Sequence, residues 1–110
     1  MMDVLTFDEI INGHGSYTMV YKNTAKAIEC VDGTTLSVQA GRMLYSTPRN
    51  NLGPYSAVEV GFPSAEPPET WRDYYDGYWD EDETHTGSIF AYIPVELVRE
   101  YIESHGGEKV

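Results

Sequence analysis

The chain has 110 residues, of which 41% are hydrophobic and 23% charged, a composition typical of one folded domain that needs no metal or disulfide to close its core. Eighteen acidic residues against seven basic ones give a net charge of −11, which repels nucleic acid and anionic lipid and attracts basic partners. The only cysteine, Cys30, excludes an intramolecular disulfide, and the sequence shows neither a signal peptide nor an apolar run long enough to span a membrane. We therefore expect a soluble cytoplasmic protein.

The first predicted element is a short helix over about residues 7–12, which a glycine then ends. Thr6 and Glu9 stand at the spacing of a capping box. Leu5 and Ile10 flank them at the spacing of a hydrophobic staple. The sequence thus specifies where this helix begins.

Residues 17–39 are expected to form a three-stranded antiparallel meander. Alternation in the stretch SYTMVYK has the period of a half-buried strand. A two-residue turn at positions 23 and 24 would then set two pairs: Met19 with Ile28, and Tyr17 with Cys30.

The second turn of the meander contains Asp32-Gly33, a strong hairpin signal. A two-residue loop there would place Cys30 opposite Thr35 and separate the apolar faces of the two strands. We favour a three-residue loop through Thr34, which would set these pairs: Ile28 with Val38, and Cys30 with Leu36.

Residues 41–55 contain two prolines, two glycines and two asparagines, which indicates a turn-rich connection. One alternative is a polar cleft of an uncharacterised enzyme, in which a small anionic ligand would be held by Arg49, Asn50 and Tyr55. A structural role for this loop is the interpretation that we favour.

Strand alternation resumes in SAVEVGF and places three apolar side chains on one side: Val58, Val60 and Phe62. A helix is then expected to begin at Pro67-Pro68, because proline suits the first turn of a helix. Its predicted buried stripe consists of Trp71, Tyr74 and Tyr75.

SIFAYI is apolar on both faces, which favours a strand inside the sheet or covered by helices. The last helix is predicted to begin at Pro94 and end before Gly106-Gly107, with one apolar face: Leu97, Val98, Tyr101 and Ile102. Residues 1–110 thus predict a single α+β domain, with an antiparallel sheet of about five strands and two or three helices packed on it.

Catalysis would need a nucleophile and a base, and the candidates are Cys30 with His14, His85 and His105. Cys30 lies on the predicted apolar strand face, where cysteine behaves as a small buried hydrophobe. The G-x-G of NGHGSY precedes a strand instead of following one, which does not fit a phosphate-binding loop. We expect no catalytic residue and no enzymatic activity.

Clustered carboxylates also suggest hard metal ions. Their spacing matches no calcium-binding loop, and the chain has no cysteine or paired-histidine pattern for zinc. We expect no metal and no cofactor, and only a weak calcium site is left open.

The acidic segment, residues 73–83, carries six carboxylates without an internal Lys or Arg. Aromatic rings among carboxylates are typical of a protein-binding surface, in which rings anchor the partner and charges steer it. A solvated loop is the alternative. Some of the rings in and near the segment are expected to be buried in the core instead, and the candidates are Trp71, Tyr74 and Trp79. The predicted partner-binding residues are Asp73, Tyr75, Asp76, Tyr78, Trp79, Asp80, Glu81, Asp82 and Glu83.

Closely spaced carboxylates on a rigid scaffold present a field like that of a phosphate backbone, so a basic nucleic-acid-handling protein can be occupied by them. The size, the acidity and stretches such as GSYTMVYK, TPRNNLGPYSAVEVGFPS and YIPVELVREYIESHGG resemble the small proteins of phages and other mobile elements, among them anti-CRISPR proteins. This resemblance implies an inhibitor that acts in the cytoplasm of a bacterial host cell and blocks the nucleic-acid site of a CRISPR-Cas effector.

Two other functions fit the same surface. An immunity protein or antitoxin would use it against a basic nuclease toxin, and a mobile-element accessory domain would use it for assembly. Each of the three requires a protein partner, and none requires direct contact with nucleic acid or membrane.

Overall fold

Short helices and strands make up this chain, for which a computed structural model describes residues 2–18, 20 and 22–109. Within the described residues a four-stranded antiparallel sheet has the order β1-β2-β3-β4, so each strand pairs with the next one in sequence. The elements are α1 (Phe7–Ile11), β1 (Ile28–Glu29), β2 (Thr35–Gln39), β3 (Ala57–Gly61), a 3₁₀ helix (Glu69–Tyr74), β4 (Ile89–Pro94) and α2 (Val95–Ser104). The predicted α+β class is confirmed, with four strands in place of about five.

The capping box of α1 is confirmed. The Thr6 hydroxyl accepts a hydrogen bond from the Glu9 amide at 3.1 Å, and the Thr6 amide donates to the Glu9 carboxylate at 2.9 Å. These bonds pair backbone donors at the helix start that have no partner within the helix. Phe7 and Ile10 lie on the buried side of α1.

The turn between β1 and β2 has the predicted length but a different register. Ile28 pairs with Leu36, and the Cys30 amide donates to the Thr34 carbonyl at 2.7 Å, which closes a three-residue loop over residues 31–33. The predicted pairs are therefore wrong by two residues. A shift of two preserves the side-chain alternation, so the predicted apolar face stays intact.

The predicted first strand of the meander is wrong. Tyr17 bridges to Lys22 instead of Cys30, and Cys30 bridges to Glu108. The Lys109 amide also donates to the Glu29 carbonyl at 2.8 Å, so C-terminal residues take the edge of β1 that was assigned to an N-terminal strand. The predicted position of Met19 lies outside the described residues.

A bulge separates the two halves of the β3–β4 pair. Val58 pairs with Ile93 and Val60 with Phe90, so one extra residue of β4 is accommodated between these pairs. Val58 and Val60 are fully buried as predicted, whereas Phe62 is 64% exposed. Its φ of 56° turns the chain away from the strand, which corrects its predicted position on the buried side.

β4 lies at the edge of the sheet, so the first of its two predicted placements, inside the sheet, is wrong. Tyr92 is 39% exposed, whereas Phe90 is fully buried. The outer edge of β4 is met by the chain that follows the 3₁₀ helix: Tyr75 bridges to Phe90, and the Asp76 amide donates to the Ile89 carbonyl at 2.9 Å. This pairing fixes the start of the acidic segment to the sheet.

The helix predicted after Pro67-Pro68 is a short 3₁₀ helix with Pro68 at its N-cap. Of its predicted stripe, Trp71 is fully buried, and Tyr74 and Tyr75 are partly buried against the core. The Trp71 ring packs edge-on to Phe90, with ring centroids 5.1 Å apart, and against Tyr101 at 4.9 Å.

The prediction for α2 is confirmed. The helix runs from Val95 to Ser104 with Pro94 at its N-cap. Its predicted apolar face packs on the core, with Leu97 partly buried and the other three side chains buried: Val98, Tyr101 and Ile102. No helix in the part of the chain that the structure describes combines the length and apolarity needed to cross a membrane.

Candidate partner-binding surface

Charge is distributed unevenly along the chain. Residues 63–98 contain nine Asp or Glu residues and a single basic residue, Arg72. The acidic segment lies in the middle of this stretch, between the 3₁₀ helix and β4. The structure therefore places most of this charge on the connections that flank one edge strand.

A buried histidine holds the far end of the acidic segment. The side chain of His85 is 5% exposed, and its Nδ1 lies 2.7 Å from Glu66 Oε2. The backbone amide of His85 donates to the other oxygen, Glu66 Oε1, at 2.6 Å. The Glu66 carboxylate thus fixes both the backbone and the ring of His85.

Aromatic rings connect this histidine to the acidic segment. The Trp79 ring stacks on the His85 ring, with ring centroids 3.5 Å apart and planes at 2°. Tyr75 meets both rings edge-on, at 5.7 Å from Trp79 and 5.5 Å from His85, and also contacts Phe90 of the core at 5.6 Å. Tyr75 and Trp79, predicted as partner anchors, therefore also attach the segment to the domain.

Tyr78 lies between these supporting rings in sequence but has a different environment. Tyr78 is 87% exposed, whereas Tyr75 and Trp79 are partly buried and pack against the core. An exposed ring between rigid neighbours is suited to anchor a partner at low conformational cost.

Five of the six carboxylates of the segment are exposed, and the half-buried one, Asp80, has a structural contact. The Asp82 amide donates to Asp80 Oδ1 at 2.9 Å, which shapes a tight turn. Arg72 reaches Glu81 at 2.7 Å and Glu69 at 3.9 Å. Among the described residues, Glu81 is the only carboxylate of the segment that has a Lys, Arg or His partner within 4.0 Å.

Cys30 is a core residue, as its predicted strand position indicated. It is fully buried, and burial raises the pKa of its thiol, with nearby Asp32 and Glu108 acting in the same direction. A raised pKa disfavours the thiolate that a nucleophilic cysteine needs. The candidate bases have other contacts: His14 lies 3.9 Å from Glu9, and His105 lies 2.6 Å from Asp32.

Two of the three residues proposed for an anion site in the loop over residues 41–55, Asn50 and Tyr55, bond within that loop. Asn50 Oδ1 accepts hydrogen bonds from the amides of Leu52 at 3.0 Å and Gly53 at 2.9 Å. The Tyr55 hydroxyl donates to the Asn50 carbonyl at 2.8 Å, and Tyr55 is 4% exposed. These contacts support a structural role, and Arg49 is left exposed on the surface.

Among residues 2–18, 20 and 22–109, no group of three or more His, Cys, Asp or Glu side chains is arranged to hold a metal ion. Sequence analysis missed the contact between Glu66 and His85, because 19 residues separate the partners and no local pattern connects them.

Comparison of the chain with protein-family models, with curated proteins and with solved structures gives no significant match.

Proposed function

We propose that this protein is an acidic inhibitor that binds a basic nucleic-acid-handling protein and occupies its nucleic-acid site without catalysing a reaction. The observation that carries the proposal is the acidic segment: exposed carboxylates and the exposed Tyr78 ring stand on a frame held by Trp79, His85 and Glu66. The resemblance to anti-CRISPR proteins makes a CRISPR-Cas effector in the bacterial cytoplasm the first target to test.

Electrostatics supports this choice of partner. A chain at −11, with nine of its eighteen acidic residues within residues 63–98, attracts proteins that carry Lys and Arg for gripping phosphates. Carboxylates that lack basic neighbours keep their full attraction for such a partner, since no internal ion pair has to be exchanged. Glu81, which contacts Arg72, is the exception.

The frame supports the proposal in a second way. Ordering a flexible loop on binding costs conformational entropy, and a loop already ordered avoids much of that cost. Here the stacked rings of Trp79 and His85, together with the backbone contact between Asp76 and Ile89, order the segment before a partner arrives.

Affinity capture from bacterial lysate, followed by mass spectrometry, identifies the partner. We expect a basic protein that handles nucleic acid, and its identity separates a CRISPR-Cas effector from a nuclease toxin.

The kinetic test then uses a variant with four neutral amides in the acidic segment: Asp80→Asn, Glu81→Gln, Asp82→Asn and Glu83→Gln. This variant should associate more slowly than wild type at low salt and compete less with nucleic acid for the partner.

A matched control removes the same number of charges elsewhere: Asp8→Asn, Glu29→Gln, Glu96→Gln and Glu103→Gln. It should associate faster than the segment variant, because position and not only net charge determines steering. Raising salt until the Debye length falls below about 8 Å should reduce the difference between wild type and the segment variant. Equal association rates for wild type and the segment variant at low salt, with equal competition, would exclude the proposed role of the segment.

A further inference from the structure

A pocket of about 380 Å³ lies between the 3₁₀ helix region and the C-terminal half of α2. This volume falls within the range of about 300–1,000 Å³ that small-ligand pockets occupy. The side chains that matter for its chemistry are Glu66, Pro68, Glu100, Tyr101, Ser104 and His105.

The electrostatics of the pocket favour a cation. Glu66 and Glu100 supply two carboxylates at its wall. The pocket also lies at the C-terminal end of α2, where the helix dipole is negative, and the last turn of this fully described helix has no basic residue. Arg99, the basic residue of α2, directs its guanidinium to Asp8 at 2.7 Å.

His105 adds a hydrogen-bonding group of defined orientation. Its Nδ1 lies 2.6 Å from Asp32 and 3.1 Å from the Thr34 hydroxyl, and neither of these residues lines the pocket. The Nδ1 side of the ring is therefore turned to Asp32, which leaves Nε2 for a ligand. In the tautomer that carries its proton on Nδ1, the His105 ring presents Nε2 as an acceptor for an N–H group.

The shape and chemistry of the pocket suit a guanidinium better than a metal ion. A divalent metal needs several ligand atoms that converge on one point, and no such group exists among the described residues. A guanidinium spreads its charge over five N–H donors in one plane, so it can reach separate acceptors and lie against the apolar walls formed by Pro68 and Tyr101.

The pocket and the frame of the proposed partner-binding surface share one residue, Glu66. Glu66 lines the pocket and also holds His85, on which Trp79 of the acidic segment stacks. A partner that covers the acidic segment would therefore lie near Glu66, close enough to place a side chain in the pocket. From this geometry we infer that the pocket accepts an arginine side chain of the basic partner. The inference rests on the proposed function, since that function supplies the arginine.

The test titrates the intact protein with Nα-acetyl-arginine methylamide and follows its backbone amide signals by NMR at mildly alkaline pH. Saturable shifts are expected at pocket residues, including Ser104, His105 and Thr70, which also lines the pocket. The matching lysine and glutamine derivatives should bind more weakly, because they lack the planar set of donors. Glu100→Gln should weaken binding of the arginine derivative about 3-fold, as for a partly exposed ion pair. Glu96→Gln, on the same helix but outside the pocket, should leave it unchanged.

The inference is overturned if the arginine derivative gives no saturable shifts at the pocket, if the glutamine derivative binds equally well, or if Glu100→Gln and Glu96→Gln behave alike while both remain folded. Slow association of the segment variant with the captured partner would still support the proposed function after such a failure. If the arginine derivative binds the pocket but Glu100→Gln does not accelerate dissociation of the partner, the partner is excluded as the source of the arginine.

Discussion

Two turn-rich segments of this protein, the loop over residues 41–55 and the acidic segment, use their polar side chains in opposite ways. In the loop, polar groups bond to the chain itself: Asn51 Oδ1 accepts from the Arg42 amide at 2.8 Å, and the Ser46 hydroxyl donates to the Gly41 carbonyl at 3.1 Å. Asn51 is 7% exposed and Ser46 is 1% exposed. The loop is thus held by buried polar contacts.

The acidic segment is held by rings, and most of its charged groups face solvent. Trp79 and Tyr75 provide attachment through His85 and Phe90, and among the carboxylates Asp80 stabilises the local turn. The difference shows how the proposed binding surface can be distinguished from a structural loop. Polar groups already bonded inside the fold are less available to a partner than exposed carboxylates on an ordered frame.

The largest expected loss of stability comes from removing the buried ring of Trp71. Trp71→Ala should lower the free energy of unfolding by about 3–5 kcal/mol, because it leaves a cavity against Phe90 and Tyr101. Trp71→Phe should cost less, since Trp71 Nε1 has no hydrogen-bond partner among the described residues and Phe keeps part of the ring packing. Denaturant unfolding measures both, and equal losses would show that ring packing is not the support.

A smaller loss is expected in the loop. Asn51→Ala should lower the free energy of unfolding by about 1–3 kcal/mol, because it removes the hydrogen bonds that the buried Asn51 side chain makes with the Arg42 amide at 2.8 Å and with the Thr18 carbonyl at 3.2 Å. The exposed neighbour Arg49 is the control, and Arg49→Ala should change stability by less than about 0.5 kcal/mol. A neutral Asn51→Ala variant would remove the contrast between the two segments.

Parts of the fold that depend on neighbours in sequence were predictable. The capping box of α1 and the apolar face of α2 need only residues three or four positions apart. The register of β1 and β2 was predicted two residues away from its true position, because side-chain alternation repeats every two residues and cannot distinguish such registers. The edge of β1 went to Glu108 rather than Tyr17, a choice between distant segments that no local pattern encodes.

The same limit applies to the candidate site. Composition indicated the acidic segment and its exposed character, since charge density is visible in sequence. The sequence did not show which rings attach the segment to the domain and which are exposed. That difference depends on His85 and on its contact with Glu66, which comes from an earlier part of the chain. The pocket beside α2 was missed for the same reason, since it joins Glu66 to Glu100 and His105.

A still smaller loss of stability is expected for Trp79, and it should distinguish this ring from its neighbour Tyr78. Trp79→Ala should lower the free energy of unfolding by about 0.5–1.5 kcal/mol through the loss of its ring contacts with His85 and Tyr75. Tyr78→Ala is the matched control and should be nearly neutral, because Tyr78 is 87% exposed. Amide hydrogen exchange should show faster exchange at Asp76 in Trp79→Ala alone. Equal exchange in both variants would mean that Trp79 does not order the segment.

The smallest effect is confined to acid pH and concerns Asp32, a carboxylate that is used by its own turn, like the polar groups of the loop. Hydrogen bonds from the Thr34 backbone amide, then from His105 and the Thr34 side chain, lower the pKa of Asp32 from 3.8 to about 2. A pKa that is lower in the folded state stabilises the fold above the unfolded value, and this contribution is lost as pH falls from 3.8 towards about 2.

Asp32→Asn should therefore make the free energy of unfolding fall less steeply across that interval, whereas His105→Gln should remove only part of the Asp32 contribution because the Thr34 contacts remain. Denaturant unfolding at a series of pH values measures both slopes. If Asp32→Asn and wild type lose stability in parallel between these pH values, the carboxylate of Asp32 does not stabilise its turn. Asp32 would then not differ in this respect from the exposed carboxylates of the acidic segment.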